Sequence, residues 1–80
     1  MNISSFEYLE PYEVIWNDIQ RDDSWSDIGD ELKPTEVHYV GYFLEEFDTY
    51  YLFCSGYSDD DQTYSKDAFP KGCVKSIRKL

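Results

Sequence analysis

A chain of 80 residues, 41% of them apolar and 19% aromatic, suffices for one small core but not two, and its composition is not that of chains that stay unfolded. A formal net charge of −10 opposes direct binding to nucleic-acid phosphates and to anionic lipid, so the favoured partners are basic proteins and peptides. No apolar run approaches the roughly 18 residues that cross a bilayer as a helix, and Met1-Asn2-Ile3-Ser4-Ser5 lacks the basic and apolar regions of a secretory signal. These features predict a single cytoplasmic domain over 1–80.

Residues 1–11 read as a lead-in whose Phe6 and Leu9 pack on the body, closed by Pro11, which disfavours helix at the residue before it. Tyr12-Glu13-Val14-Ile15-Trp16 alternates and is rich in β-branched and aromatic residues, which predicts a strand. A long acidic loop follows from Asn17 to Pro34. Within it Trp25, Ile28 and Leu32 recur at helical spacing, with Ser24 placed to cap and Asp27 at the third helical position, so part of the loop is expected to be helical despite Gly29.

Glu36 to Leu44 and Thr49 to Ser55 are two strand-forming runs that predict a hairpin across Glu45-Glu46-Phe47-Asp48, with Gly41 marking a bulge or bend. Gly56 to Gln62 is a loop, Thr63 to Phe69 a fourth strand, and Pro70-Lys71-Gly72 a tight turn into a last strand, Cys73 to Ile77. The basic residues Arg78 and Lys79 close the chain. Five short strands with this spacing predict a mainly all-β fold, a small SH3-like five-stranded antiparallel barrel with Trp16, Val40, Leu52 and Val74 in its core. Phe43, Phe53 and Phe69 are further core candidates.

Charge is divided unevenly along the chain. Residues 1–65 carry a net of −14, with only Arg21 and Lys33 opposing 16 acids, whereas residues 66–80 carry +4. One reading makes the acidity a matter of solubility, another makes it a recognition surface, and a third lets the basic end touch nucleic acid.

Catalytic and metal signatures are weak. Cys54 and Cys73 fit neither a redox CxxC nor a zinc set and are expected to be reduced structural thiols. His38 has no partner histidine, and a Cys54–His38 dyad is disfavoured because Cys54 sits in an apolar strand. Asp59-Asp60-Asp61 is read as a solvated loop, since consecutive acids diverge and lack the spacing and closing Glu of a calcium loop. Asp22-Asp23 and Glu45-Glu46 read in the same way. No cofactor, no metal and no enzymatic activity are expected.

Val14-Ile15-Trp16-Asn17-Asp18, Trp25, Val40-Gly41-Tyr42-Phe43-Leu44 and Phe69-Pro70-Lys71-Gly72-Cys73-Val74-Lys75-Ser76-Ile77 together resemble a group of small uncharacterised bacteriophage proteins. That group has a V-x-W-x-D opening and an I-P-K-G-[CA]-[VI] ending, and Phe69 here stands where Ile or Val is usual. The resemblance covers about residues 12–80 and implies viral origin and a compact β fold, without an activity.

Two Trp, eight Tyr and five Phe exceed what so small a core can enclose, so some of Tyr39, Tyr42, Tyr50, Tyr51, Tyr57 and Tyr64 should lie at the surface beside carboxylates. Combined with the resemblance, this predicts a phage-encoded, non-enzymatic protein that binds a basic host protein in the host cytoplasm, as a nucleic-acid mimic or inhibitor. The expected binding residues are Glu45, Glu46 and Asp48 with Tyr50, and Asp59, Asp60 and Asp61 with Tyr57. A structural or assembly component of the phage particle or replication machinery is the alternative, and either could be a homo-oligomer.

Overall fold

Period-two alternation becomes strand throughout the computed structural model, which describes residues 5–80. β1 spans Pro11–Asp18, β2 Thr35–Glu46, β3 Tyr50–Tyr57, β4 Thr63–Pro70 and β5 Val74–Lys79; a 3₁₀ turn, Lys71–Cys73, joins the last two. All pairings are antiparallel and the sheet order is β4-β3-β2-β1-β5. The all-β, five-stranded expectation therefore holds, with the 36–55 hairpin at the centre.

β2 joins the two halves of the sheet. Its residues 35–42 pair with β1 and its residues 42–46 with β3, with a register shift between Phe43 and Glu45. A shift of this kind bends the strand and increases its twist. The halves curl toward one another, bringing the ring of Phe69 on β4 within 5.9 Å of Trp16 on β1 and 4.8 Å of Tyr39 on β2.

The sheet curls without closing, which corrects the expectation of a barrel. Among the described residues no ladder joins β4 to β5, and each is an edge. Pro70 ends β4 with no N–H to donate, and the 3₁₀ turn then delivers the chain to β5 on the far side of β1. Charged residues blunt both edges, Lys66 and Asp67 on one and Lys75, Arg78 and Lys79 on the other.

Tyr12, Val14, Phe43, Phe53 and Phe69 form the buried core, with Phe6, Trp16, Tyr39, Tyr51, Val74 and Ile77 packed around it. Phe6 holds the lead-in down through ring contacts to Tyr12, Phe43 and Tyr51. Leu9 turns the chain at φ 61° and donates its N–H to the Phe43 carbonyl at 2.8 Å, while Phe43 donates to Glu10 at 3.1 Å. Val40 is a correction: it is 59% exposed, because Tyr39, Gly41 and Phe43 take the inward positions of β2 and alternation turns Val40 out. Leu52 is only half-buried, beside the fully buried Phe53.

The helix expected around Trp25 is absent, and residues 17–34 are exposed throughout. Trp25 and Ile28 are fully exposed, so no surface covers the apolar stripe that would stabilise a short helix. Asp22 also competes for the cap: the Ser24 N–H and hydroxyl both donate to its Oδ1, at 2.9 and 2.6 Å. A single turn survives, in which Asp30 N–H donates to the Asp27 carbonyl at 3.0 Å. The radius of gyration is 15.9 Å, against about 12 Å for a compact chain of this length.

Candidate functional site

The eight expected binding residues fall into two groups at opposite ends of β3. At the β2–β3 turn Glu45 and Asp48 are exposed, and Tyr50 is half-buried with its ring stacked on Phe47 at 4.5 Å. Glu46 is different in kind: it accepts from Lys71 Nζ at 2.6 Å, and Lys71 in turn lies 5.2 Å from the centre of the Tyr51 ring. That pairing holds the Lys71 ammonium above its usual pKa. Glu46 thus anchors the 3₁₀ turn to β2.

At the β3–β4 turn Asp59, Asp60 and Asp61 are all exposed. Ser58 organises them, donating its hydroxyl to Asp60 and accepting from the Asp61 N–H at 3.2 Å, while Asp61 takes φ 64°. Tyr57 is exposed beside them and packs edge-on against Tyr42 at 5.2 Å. Eight strand residues separate the two turns, a distance of roughly 25 Å at the rise of a β-strand. They are two patches, each with its own tyrosine.

The basic end of the chain is spent on the acidic body. Lys79 pairs with Glu7, Arg78 with Glu13 at 2.9 Å, Lys75 with Glu36 at 3.1 Å and Lys71 with Glu46. The cause is topological, since β5 lies against β1 with Arg78 directly opposite Glu13. Arg78, and then His38 at 3.5 Å, hold the Glu13 carboxyl below its usual pKa. Four of the five cations behind the local charge of +4 are therefore paired, and Lys66 forms no ion pair among the described residues.

His38 and Cys54 are not assembled into a dyad. His38 sits opposite Ile15, whereas Cys54 sits opposite Tyr42, four residues further along β2. Burial pushes the Cys54 thiol up, the direction of an unreactive thiol. Among the described residues no three His, Cys, Asp or Glu side chains gather to hold a metal ion, and no helix is long and apolar enough to cross a membrane.

One concave feature escapes a reading along the chain. A cleft of about 450 Å³ opens where β1 and β4 face each other across the mouth of the curled sheet. Trp16, Tyr39, Phe69 and Pro70 line it, and Asp18, His38 and Asp67 also border it. Asp67 shares the inward face of β4 with Phe69, and Asp18 follows Trp16 by two residues on β1. The only sequence signal for it would have been an acid at an inward strand position.

Tyr39 marks the depth of this cleft. Its Oη is buried with no hydrogen-bond partner. Burial pushes the phenol up to about 12, and the Asp67 carboxylate, near enough to disfavour phenolate though not in hydrogen-bonding geometry, adds to the shift. An unfolded tyrosine ionises near 10.0, so the stability Tyr39 contributes is complete below that pH and is lost as pH rises from about 10 to about 12. Tyrosinate absorbance should accordingly show one late-titrating tyrosine in the native chain, with the lag abolished in urea. A native titration identical to the unfolded one would contradict the burial of Oη.

Comparisons with protein-family models, with curated proteins and with solved structures find no match for this chain.

Proposed function

We propose that this chain is a phage-encoded, non-enzymatic interaction protein, built on an SH3-like curled sheet, that binds a basic host protein in the host cytoplasm. The observation that carries the reading is the distribution of unpaired charge. Lys71, Lys75, Arg78 and Lys79 are each engaged by a glutamate. Glu45, Asp48, Asp59, Asp60 and Asp61 stay exposed and form no ion pair among the described residues, although Asp48 lies near enough to Lys71 to help hold its ammonium charged. Exposed Tyr57 and Tyr64 stand beside the second group. Carboxylates flanked by aromatic rings offer a basic, nucleic-acid-binding surface the charges and stacking faces it takes from its usual ligand, which is how mimicry or inhibition would operate.

The alternative, a structural or assembly component, draws on the exposed Trp25, Ile28 and Leu32, which would suit burial in a permanent complex. Salt separates the two. Binding to a basic protein recovered by affinity capture should weaken steeply as salt rises from about 100 to about 500 mM, because exposed charges are screened over roughly 10 Å or less in that range. A salt-independent complex would favour the assembly reading.

Charge neutralisation locates the surface. Converting Asp59, Asp60 and Asp61 to Asn is expected to weaken that complex while leaving stability within about 0.5 kcal/mol, as is usual for exposed substitutions. Titration calorimetry and urea denaturation measure the two effects. Unchanged affinity after also converting Glu45→Gln and Asp48→Asn would reject the acidic loops as the interface. Glu46 is left intact because it holds Lys71.

A further inference from the structure

We propose that the cleft between β1 and β4 is a receptor for an arginine side chain presented by the basic partner, an inference that rests on the acidic-interaction reading above and names the group it would grasp. The walls are aromatic and contiguous: the Phe69 ring lies between those of Trp16 and Tyr39, at 5.9 and 4.8 Å. Phe69 is buried and forms the floor, whereas Trp16 is half-buried and keeps part of its ring open. Flat aromatic walls suit a planar guanidinium, which is weakly hydrated and stacks on rings better than an ammonium does.

The carboxylates complete the chemistry. Asp67 points to the concave side of the sheet, half-buried next to Phe69, and no cation among the described residues pairs with it. An inward carboxylate without a counter-ion offers a cationic group a charge-assisted contact. Asp18 stands on the opposite wall, two residues beyond Trp16, also without a cation. Each of the two facing strands thus contributes a ring and a carboxylate. His38 is turned to Glu13, its Nδ1 3.5 Å from that carboxylate. The buried Oη of Tyr39, without a hydrogen-bond partner, lies behind the same wall. A guanidinium laid on the open part of the Trp16 ring, at the mouth of the cleft, would meet Asp67 with its N–H groups and leave its aliphatic stem against Pro70.

The cleft can be tested with a defined probe. A short capped peptide carrying arginines between glycines, and its lysine counterpart of equal charge, would be titrated into the Trp25→Phe chain, in which Trp16 is the remaining indole emitter. The arginine peptide is expected to change Trp16 fluorescence saturably and to bind several-fold more tightly than the lysine peptide. Asp67→Asn should reduce its affinity by about fivefold or more, the loss of one charge-assisted contact. Asp18→Asn serves as the second variant should Asp67→Asn fail to give a cooperative urea transition.

Equal affinity for the two peptides, together with indifference to Asp67→Asn and Asp18→Asn, would overturn the proposal. If binding were then lost on neutralising the loop acids, the acidic-interaction reading would stand without the cleft. If neither peptide bound the chain at all, both readings would fall.

Discussion

Phe53→Ala is expected to remove a large share of the stability of the folded chain at 25 °C. Phe53 is fully buried at the middle of β3, and its ring touches those of Tyr12, Tyr39, Phe43 and Phe69. These four come from β1, β2 and β4, so the side chain joins both halves of the curled sheet. Removing a ring of this kind costs about 3–5 kcal/mol, made of the lost transfer energy and the cavity left behind. A chain of 80 residues has roughly 4–12 kcal/mol of stability to lose. The measurement is urea denaturation followed by near-ultraviolet circular dichroism, which reports the packed aromatic core. A loss below about 1 kcal/mol, the range of a surface change, would show that the core is not centred on Phe53.

Gly41→Ala should destabilise by about 1–3 kcal/mol, although alanine normally favours a strand over glycine through the unfolded state. A Cβ at Gly41 would lie 2.6 Å from both Cε1 and Oη of Tyr39, closer than real side chains approach. The ring cannot easily retreat, because Phe53 and Phe69 pack against it at 6.2 and 4.8 Å. Either Tyr39 leaves the core or β2 shifts at the point where it passes from β1 to β3. A second readout separates these effects: expulsion of Tyr39 would remove the late-titrating phenol. A variant as stable as the parent, with that phenol unchanged, would contradict the close approach of ring and backbone. The sequence suggested Gly41 for a bend or bulge, yet its φ is not positive and the register shift lies at Phe43/Glu45. Its glycine is required by what rests on it.

The acidic loops were legible along the chain because they need only two strands and the turn between them. Glu45 and Asp48 are exposed at one turn and Asp59, Asp60 and Asp61 at the other, as turn composition implies. Glu46 could not be told from Glu45 on that basis. Its partner, Lys71, lies in the turn after β4, and only the return of the chain past Thr49, whose carbonyl accepts from the Lys71 N–H at 2.9 Å, brings the two together. Tyr39 could not be singled out among the tyrosines for a related reason. A tyrosine is amphipathic, so composition alone does not say whether its hydroxyl faces water, and here the ring turned inward with Phe53 and Phe69.

The sequence by itself determined that this is a five-stranded, all-β chain with its central hairpin near 36–55, because alternation and turn chemistry act over a few neighbouring residues. It also determined that an acidic excess would remain, since seven cations cannot neutralise seventeen acids. The tertiary structure decided which acids remain unpaired, by laying β5 on β1 so that cations at the end of the chain meet Glu7, Glu13 and Glu36. It decided as well that Trp25, Ile28 and Leu32 stay outside, because a helical stripe is stabilised only by a surface that covers it, and the curled sheet offers none there. The cleft belongs wholly to that level: β1 and β4 are not neighbours in the sheet, and the bend in β2 sets Trp16 and Asp18 across from Phe69 and Asp67.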